Sequence, residues 1–203
     1  MFVTLEGIDR AGKSTQAALL GEALGGALLV REPGGTPAGE RMRELLKAPD
    51  VELDPRAELL LFCAARAELV ARVIRPAMDD GHDVICDRFV DSTVAYQGVA
   101  RGLGVEGVDA LNAIAVGDCM PDLTVLLRIP PERAADRGQQ RLEEGGADGA
   151  DRFESEGIDL QRVVAEAYDE IAAREPERVK VVDAEGTVDE VHARVIDVVT
   201  AAR

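Results

Sequence analysis

Short apolar runs bounded by turn formers recur along the chain at Phe2–Leu5, Ala27–Val30, Val84–Cys86, Leu123–Ile129 and Val179–Val182. Each is rich in Val, Leu or Ile, the pattern of strands buried in a parallel sheet. Between them apolar residues fall at helical spacing, as in Leu59, Leu60, Cys63, Ala67 and Val70, and again in Val163, Val164, Ala167, Ile171 and Ala172. Strand and helix in alternation predict a doubly wound α/β domain. Clustered Gly and acid without an apolar period predict loops at Gly102–Gly107 and Glu143–Asp151, the second of them mobile.

The 203 residues suit one domain, and 46% hydrophobic with 31% charged residues supports a real core. Net charge is −16, and the excess acid is concentrated late: Lys+Arg 12 against Asp+Glu 16 through Arg101, then 11 against 23. Such a balance argues against a general binder of nucleic acid or of anionic membranes, which need clustered cations. Any phosphate handled here must meet local positive charge. Cys63, Cys86 and Cys119 are few and widely spaced, offering neither a disulfide framework nor a paired-cysteine metal site, and they read as core residues of a cytoplasmic protein. The opening MFVTLEGID shows no secretion signal, and no apolar run approaches the roughly 18 residues of a membrane span.

One motif carries strong chemistry. Directly after the first strand comes Gly7-Ile8-Asp9-Arg10-Ala11-Gly12-Lys13-Ser14-Thr15, followed by an Ala/Leu helix, which matches G-x-x-x-x-G-K-[ST] in the strand-loop-helix setting it requires. Backbone N–H groups of such a loop curl round phosphate, Lys13 reaches the β- and γ-phosphates as a surface-loop cation, and Ser14 can ligate Mg²⁺.

A phosphate loop implies a nucleotide but no particular reaction. Other clusters speak to a second substrate. Arg31-Glu32-Pro33-Gly34-Gly35-Thr36 forms a tight turn after the second strand, placing Glu32 and Arg43 near the carboxyl edge where ligands bind in such sheets. Phe62 and Arg66, four residues apart, share a helix face and could stack on and pair with a base, although Phe62 by itself could equally be core. Asp87-Arg88-Phe89 closes the third strand, where Asp87 can hold Mg²⁺ through water and Arg88 can clamp a phosphate. Beyond it Thr93, Tyr96 and Gln97 offer polar groups to a base or sugar. His82 and His192 stand alone and receive no role.

LEGIDRAGKST, REPGGTPAGE, LFCAAR, DRFVDSTVAYQG and DRFE, in this order over nearly the whole chain, resemble the bacterial thymidylate kinase family. The resemblance implies a single P-loop kinase domain, a three-layer sandwich around a five-stranded parallel sheet, with a mobile lid at about 136–152. It implies transfer of a phosphoryl group from MgATP to dTMP by a homodimer. Carried onto this chain, Phe62 would stack on thymine, and Arg66 and Gln97 would bond its edge with help from Thr93. Arg88 and Arg43 would hold the acceptor phosphate, Asp9 would meet the 3′-hydroxyl or the metal network, Glu32 would order the metal's waters, and Tyr96 would disfavour a 2′-hydroxyl. Members of the family place a basic residue in the phosphate loop or rely on lid arginines, and this chain has both Arg10 and the pair Arg137 and Arg141 at i, i+4. Alternatives are a kinase for another deoxynucleotide or nucleoside, and a nucleotide-dependent regulator with no acceptor pocket.

Overall fold

In a computed structural model the described residues are 1–143 and 157–203. Five strands, β1 (Phe2–Glu6), β2 (Leu28–Arg31), β3 (Val84–Asp87), β4 (Leu123–Arg128) and β5 (Val179–Asp183), form one all-parallel sheet in the order β2-β3-β1-β4-β5. Every residue of central β1 is buried, as its apolar run predicts. The edge strands depart from that expectation: Leu29 on β2 and Val181 on β5 stay well exposed, because an edge strand is covered incompletely.

Helices cover both faces: α1 (Lys13–Ala23), α2 (Pro37–Lys47), α3 (Pro55–Leu69), α4 (Arg75–Asp79), α5 (Val90–Thr93), α6 (Val105–Val116), α7 (Pro131–Glu143), α8 (Gly157–Arg174) and α9 (Val188–Ala201). The starts of α2, α3 and α9 follow sequence logic. Thr36, Asp54 and Thr187 each cap with a side-chain oxygen, and Glu190 completes a capping box with Thr187. Two wide π-helical stretches were not legible in the sequence: Val70–Ile74 joins α3 to α4, and Val94–Ala100 prolongs α5. The second carries Tyr96 and Gln97, and insertions of this kind often mark functional sites.

The expected loop at Gly102–Gly107 is shorter than its composition suggests, since α6 begins at Val105 and takes Gly107 into its first turn. Of the expected lid, 136–143 is the closing half of α7, while 144–152 and the DRFE string fall outside the described residues. Among the described residues no helix is long and apolar enough to cross a membrane. All three cysteines are free and buried.

Candidate active site

Parallel register sets the level of the site. Leu5 of β1 pairs with Asp87 of β3, so the residues that leave these neighbouring strands, Gly7 and Arg88, emerge side by side at the carboxyl edge. Gly7 has φ +139°, and a Cβ there would lie 2.6 Å from the carbonyl oxygen of Leu127 on β4, which excludes any larger residue. The loop then turns through left-handed Arg10 (φ +64°) and Gly12 (φ +98°) into α1. Lys13, the first residue of that helix, folds back so that Nζ donates to the carbonyls of Ile8 (2.7 Å) and Gly7 (3.1 Å). It is not the surface cation the sequence suggests: its exposure is 6%. Burial, helped by Arg88, brings its pKa down to about 8 against the pull of Asp87, Asp9 and Glu6. The Ser14 hydroxyl donates to Asp87 Oδ2.

Arg88 has φ +69°, a strained conformation for a side-chain-bearing residue, of the kind retained where function fixes the backbone. Its Nη1 donates to Gly7 O and to Ser92 Oγ, both at 3.1 Å, while Nη2 pairs with Asp9 and donates to Tyr96 Oη at 3.3 Å. The guanidinium lies 5.0 Å from the centroid of the Tyr96 ring. Beneath it the buried Glu6 carboxylate accepts from the Phe89 N–H (2.7 Å), Ser92 Oγ (2.6 Å) and Tyr168 Oη (2.8 Å), fixing the turn that carries Arg88. Burial first, and repulsion by Asp91 second, push Glu6 up to about pKa 7. Asp9 moves the other way. Burial opposes ionisation there, but Arg88 and then Lys13 hold the carboxyl below its ordinary range, and Gln161 Nε2 donates to it at 2.8 Å.

At the acceptor end two of the expected residues are joined to each other. Glu32 is buried in an ion pair with Arg66, 2.6 Å from its Nη2, and both residues line the cavity. Arg66 in turn is 1% exposed, and its remaining donors reach Asn112 Oδ1 (2.6 Å), Phe89 O (3.1 Å) and Thr93 Oγ1 (2.9 Å). These bonds hold the guanidinium in the pocket wall. Gln97 donates through Nε2 to buried Glu58 Oε1 at 2.8 Å. Arg43 is held by Pro33 O at 2.8 Å, beside the cis Glu32–Pro33 peptide. Phe62 is half-buried on α3 and faces the cavity.

The phosphate loop, Glu32, Phe62, Arg66, Arg88, Tyr96 and Gln97 line one open cavity of about 530 Å³, together with Arg10, Arg137 and the Gly186–Thr187 turn that leads into α9. Arg137 is anchored there, with Nη2 donating to Ala184 O at 2.7 Å and Nη1 to Ala11 O at 3.5 Å. Arg141 lies in the last turn of α7, and its side chain falls outside the described residues. Sequence reading missed Glu6, Glu58, Asn112, Gln161, Tyr168 and the turn before α9. For the turn a signal existed in the capping-box spacing of Thr187 and Glu190, while the others meet the site only through long-range contacts.

Comparison with known proteins identifies the family. The thymidylate kinase family model matches residues 5–195. The chain belongs to the thymidylate kinase family. Relatives named thymidylate kinase include that of Syntrophotalea carbinolica, 49% identical over 199 residues covering 96% of this chain and 92% of the relative. Another, from Deinococcus radiodurans, is 43% identical with 96% and 94% covered. The crystal structure of thymidylate kinase from Ehrlichia chaffeensis superposes with a TM-score of 0.78 at 35% identity, covering 98% of each chain. For a thymidylate kinase family member, the meeting of Lys13 and Arg88 at one backbone oxygen is the feature of most chemical interest.

Proposed function

We propose that this cavity is where the chain transfers the γ-phosphoryl group of ATP to dTMP, giving dTDP and ADP. The observation that carries the reading is the carbonyl oxygen of Gly7, which accepts from Lys13 Nζ and from Arg88 Nη1, each at 3.1 Å. A cation from the donor loop and one suited to an acceptor phosphate thus converge on one point, where two anions must be brought together against their repulsion.

In this reading the loop from Gly7 to Thr15 wraps the donor phosphates, with Ile8, Ala11 and Gly12 supplying backbone and Arg10 and Lys13 supplying charge. Arg88 and Arg43 hold the phosphate of dTMP. One of its oxygens forms the new bond to the γ-phosphorus as the bond to the bridging oxygen breaks and ADP leaves. Because a phosphate monoester is already anionic near neutral pH, no general base is required. Asp9, paired with Arg88, orients that arginine and can meet the 3′-hydroxyl, while Tyr96 closes the space a 2′-hydroxyl would need.

The Ser14 hydroxyl and the Asp87 carboxylate, hydrogen-bonded to each other, form a hard-oxygen pair at the phosphate loop. That pair fits Mg²⁺, which takes few protein ligands and keeps water and phosphate oxygens. The ion would supply charge neutralisation between donor phosphates. At the acceptor end Phe62 offers its face to thymine. Gln97, with Nε2 engaged by Glu58, offers its carbonyl oxygen, the acceptor that a thymine N3–H calls for. Thr93 and Arg66 support that wall.

The reading is tested by coupled ADP release with dTMP, dUMP, dCMP, dGMP and nucleosides. Preference for dTMP is expected. A larger kcat/KM for another acceptor would move the chain to a different specificity, and ATP binding without turnover on any acceptor would leave a regulator. Within this reading, Phe62→Ala and Gln97→Ala should each raise KM for dTMP by about tenfold or more while leaving KM for ATP within about twofold, since a stacked base and a buried hydrogen bond are each worth roughly 1–3 kcal/mol. Equal losses for both substrates would show the two residues to be core. Assembly as a homodimer is implied by the resemblance, and a monomeric mass in light scattering would refute it.

A further inference from the structure

We propose that Gly138 is the seat of Arg10, a positioning residue on α7 whose missing side chain lets the loop arginine lie against the helix and point at the transferring phosphoryl group. Gly138 is buried in the interior of α7, where glycine is a poor helix former and needs a reason to be present. Its backbone is ordinary right-handed helix, so no dihedral demand explains it. The reason is spatial. A Cβ placed on Gly138 would lie 2.5 Å from Arg10 Cζ and would also overlap Cδ and Nη1, all atoms of one side chain.

The register that brings Gly138 to this point is held by its neighbour. Arg137 joins α7 to the strand-end turn through Ala184 O at 2.7 Å and approaches Ala11 O of the phosphate loop at 3.5 Å, which favours this register of the helix. Arg10 itself leaves the loop from a left-handed backbone, which sets the direction of its side chain from the other side. Two constraints therefore converge on one guanidinium. An alanine at 138 would suit the helix better and would displace the arginine, because the end of a flexible side chain yields before two backbones do.

This inference rests on the reading of Arg10 as a group that stabilises the transferring phosphoryl, and the test separates the two. Gly138→Ala should keep or raise Tm while lowering kcat at least about fivefold, with KM for ATP and dTMP within about twofold, the pattern of an interaction made chiefly in the transition state. Added to Arg10→Ala, the same substitution should change kcat by less than about twofold, because its target is already gone. A smaller fall in the otherwise native enzyme, or an equal fall in both backgrounds, overturns the seat. If Arg10→Ala is itself mild, the role of Arg10 is what fails. If Arg10→Ala is severe and Gly138→Ala is silent, only the seat fails.

Discussion

Lys13→Met should lower kcat by about 10³-fold or more without unfolding the protein, since preorganised charge on the transferring phosphoryl supplies most of the rate in such reactions. The stability half of that expectation comes from the environment of the ammonium. Lys13 is nearly buried, and burial together with Arg88 has already drawn its pKa to about 8. Methionine has similar length and no charge to desolvate. Removing Nζ does not orphan its acceptors, because Gly7 O still accepts from Arg88 and Ile8 O from the Ala11 N–H at 3.4 Å. A thermal midpoint equal to or above that of the native enzyme is therefore expected.

The same lysine predicts a pH dependence of stability. Its folded pKa lies below the ordinary value of 10.5, so between about 8 and 10.5 the unfolded chain binds a proton that the native protein does not. Stability attributable to this group rises with pH across that window, and Lys13→Met should remove the slope. Coupled ADP release and denaturant titrations from pH 7 to 10.5 check both halves. A variant keeping more than a tenth of native kcat would falsify the donor-phosphate role.

How much of this was legible beforehand depends on the range of the interaction. The five strands and the phosphate loop declare themselves in contiguous residues, apolar runs or a nine-residue string, and local pattern suffices for both. Site partners are different. Glu32 and Arg66 are 34 residues apart and Asp9 and Gln161 are 152 apart, so nothing in either neighbourhood says that Arg66 and Glu32 will engage each other or that Gln161 will reach Asp9. Gly138 shows the same limit in another form. Beside Arg137 and before an acid- and glycine-rich stretch, it reads as the start of a flexible lid, yet it lies inside a helix with an arginine seated on it. Composition reports propensity, and only the packing partner shows why an unfavourable residue is kept.

The duplicated arginines give the second large effect. Arg10→Ala should lower kcat by at least about 10²-fold with KM for ATP nearly unchanged, because removing an arginine that acts on the transferring phosphoryl can cost roughly 10³-fold. Arg10 belongs to the loop that wraps the donor phosphates and reaches them without closure of any other segment. Arg137 is committed elsewhere: its Nη2 holds Ala184 O and its Nη1 approaches Ala11 O, which makes it an anchor between α7, the loop and the turn that opens α9. Arg137→Ala should accordingly loosen the donor side and raise KM for ATP, with kcat falling less than about tenfold, as loss of uniform binding does. Arg141→Ala should also stay below about tenfold in kcat, since Arg141 is delivered from the end of a helix that leads into an acidic, glycine-rich sequence. Steady-state kinetics of the three variants decide between the two placements of catalytic charge. Crippled Arg137 or Arg141 variants beside a mild Arg10→Ala would assign the phosphoryl-stabilising role to the lid side, and the seat at Gly138 would then have no catalytic arginine to hold.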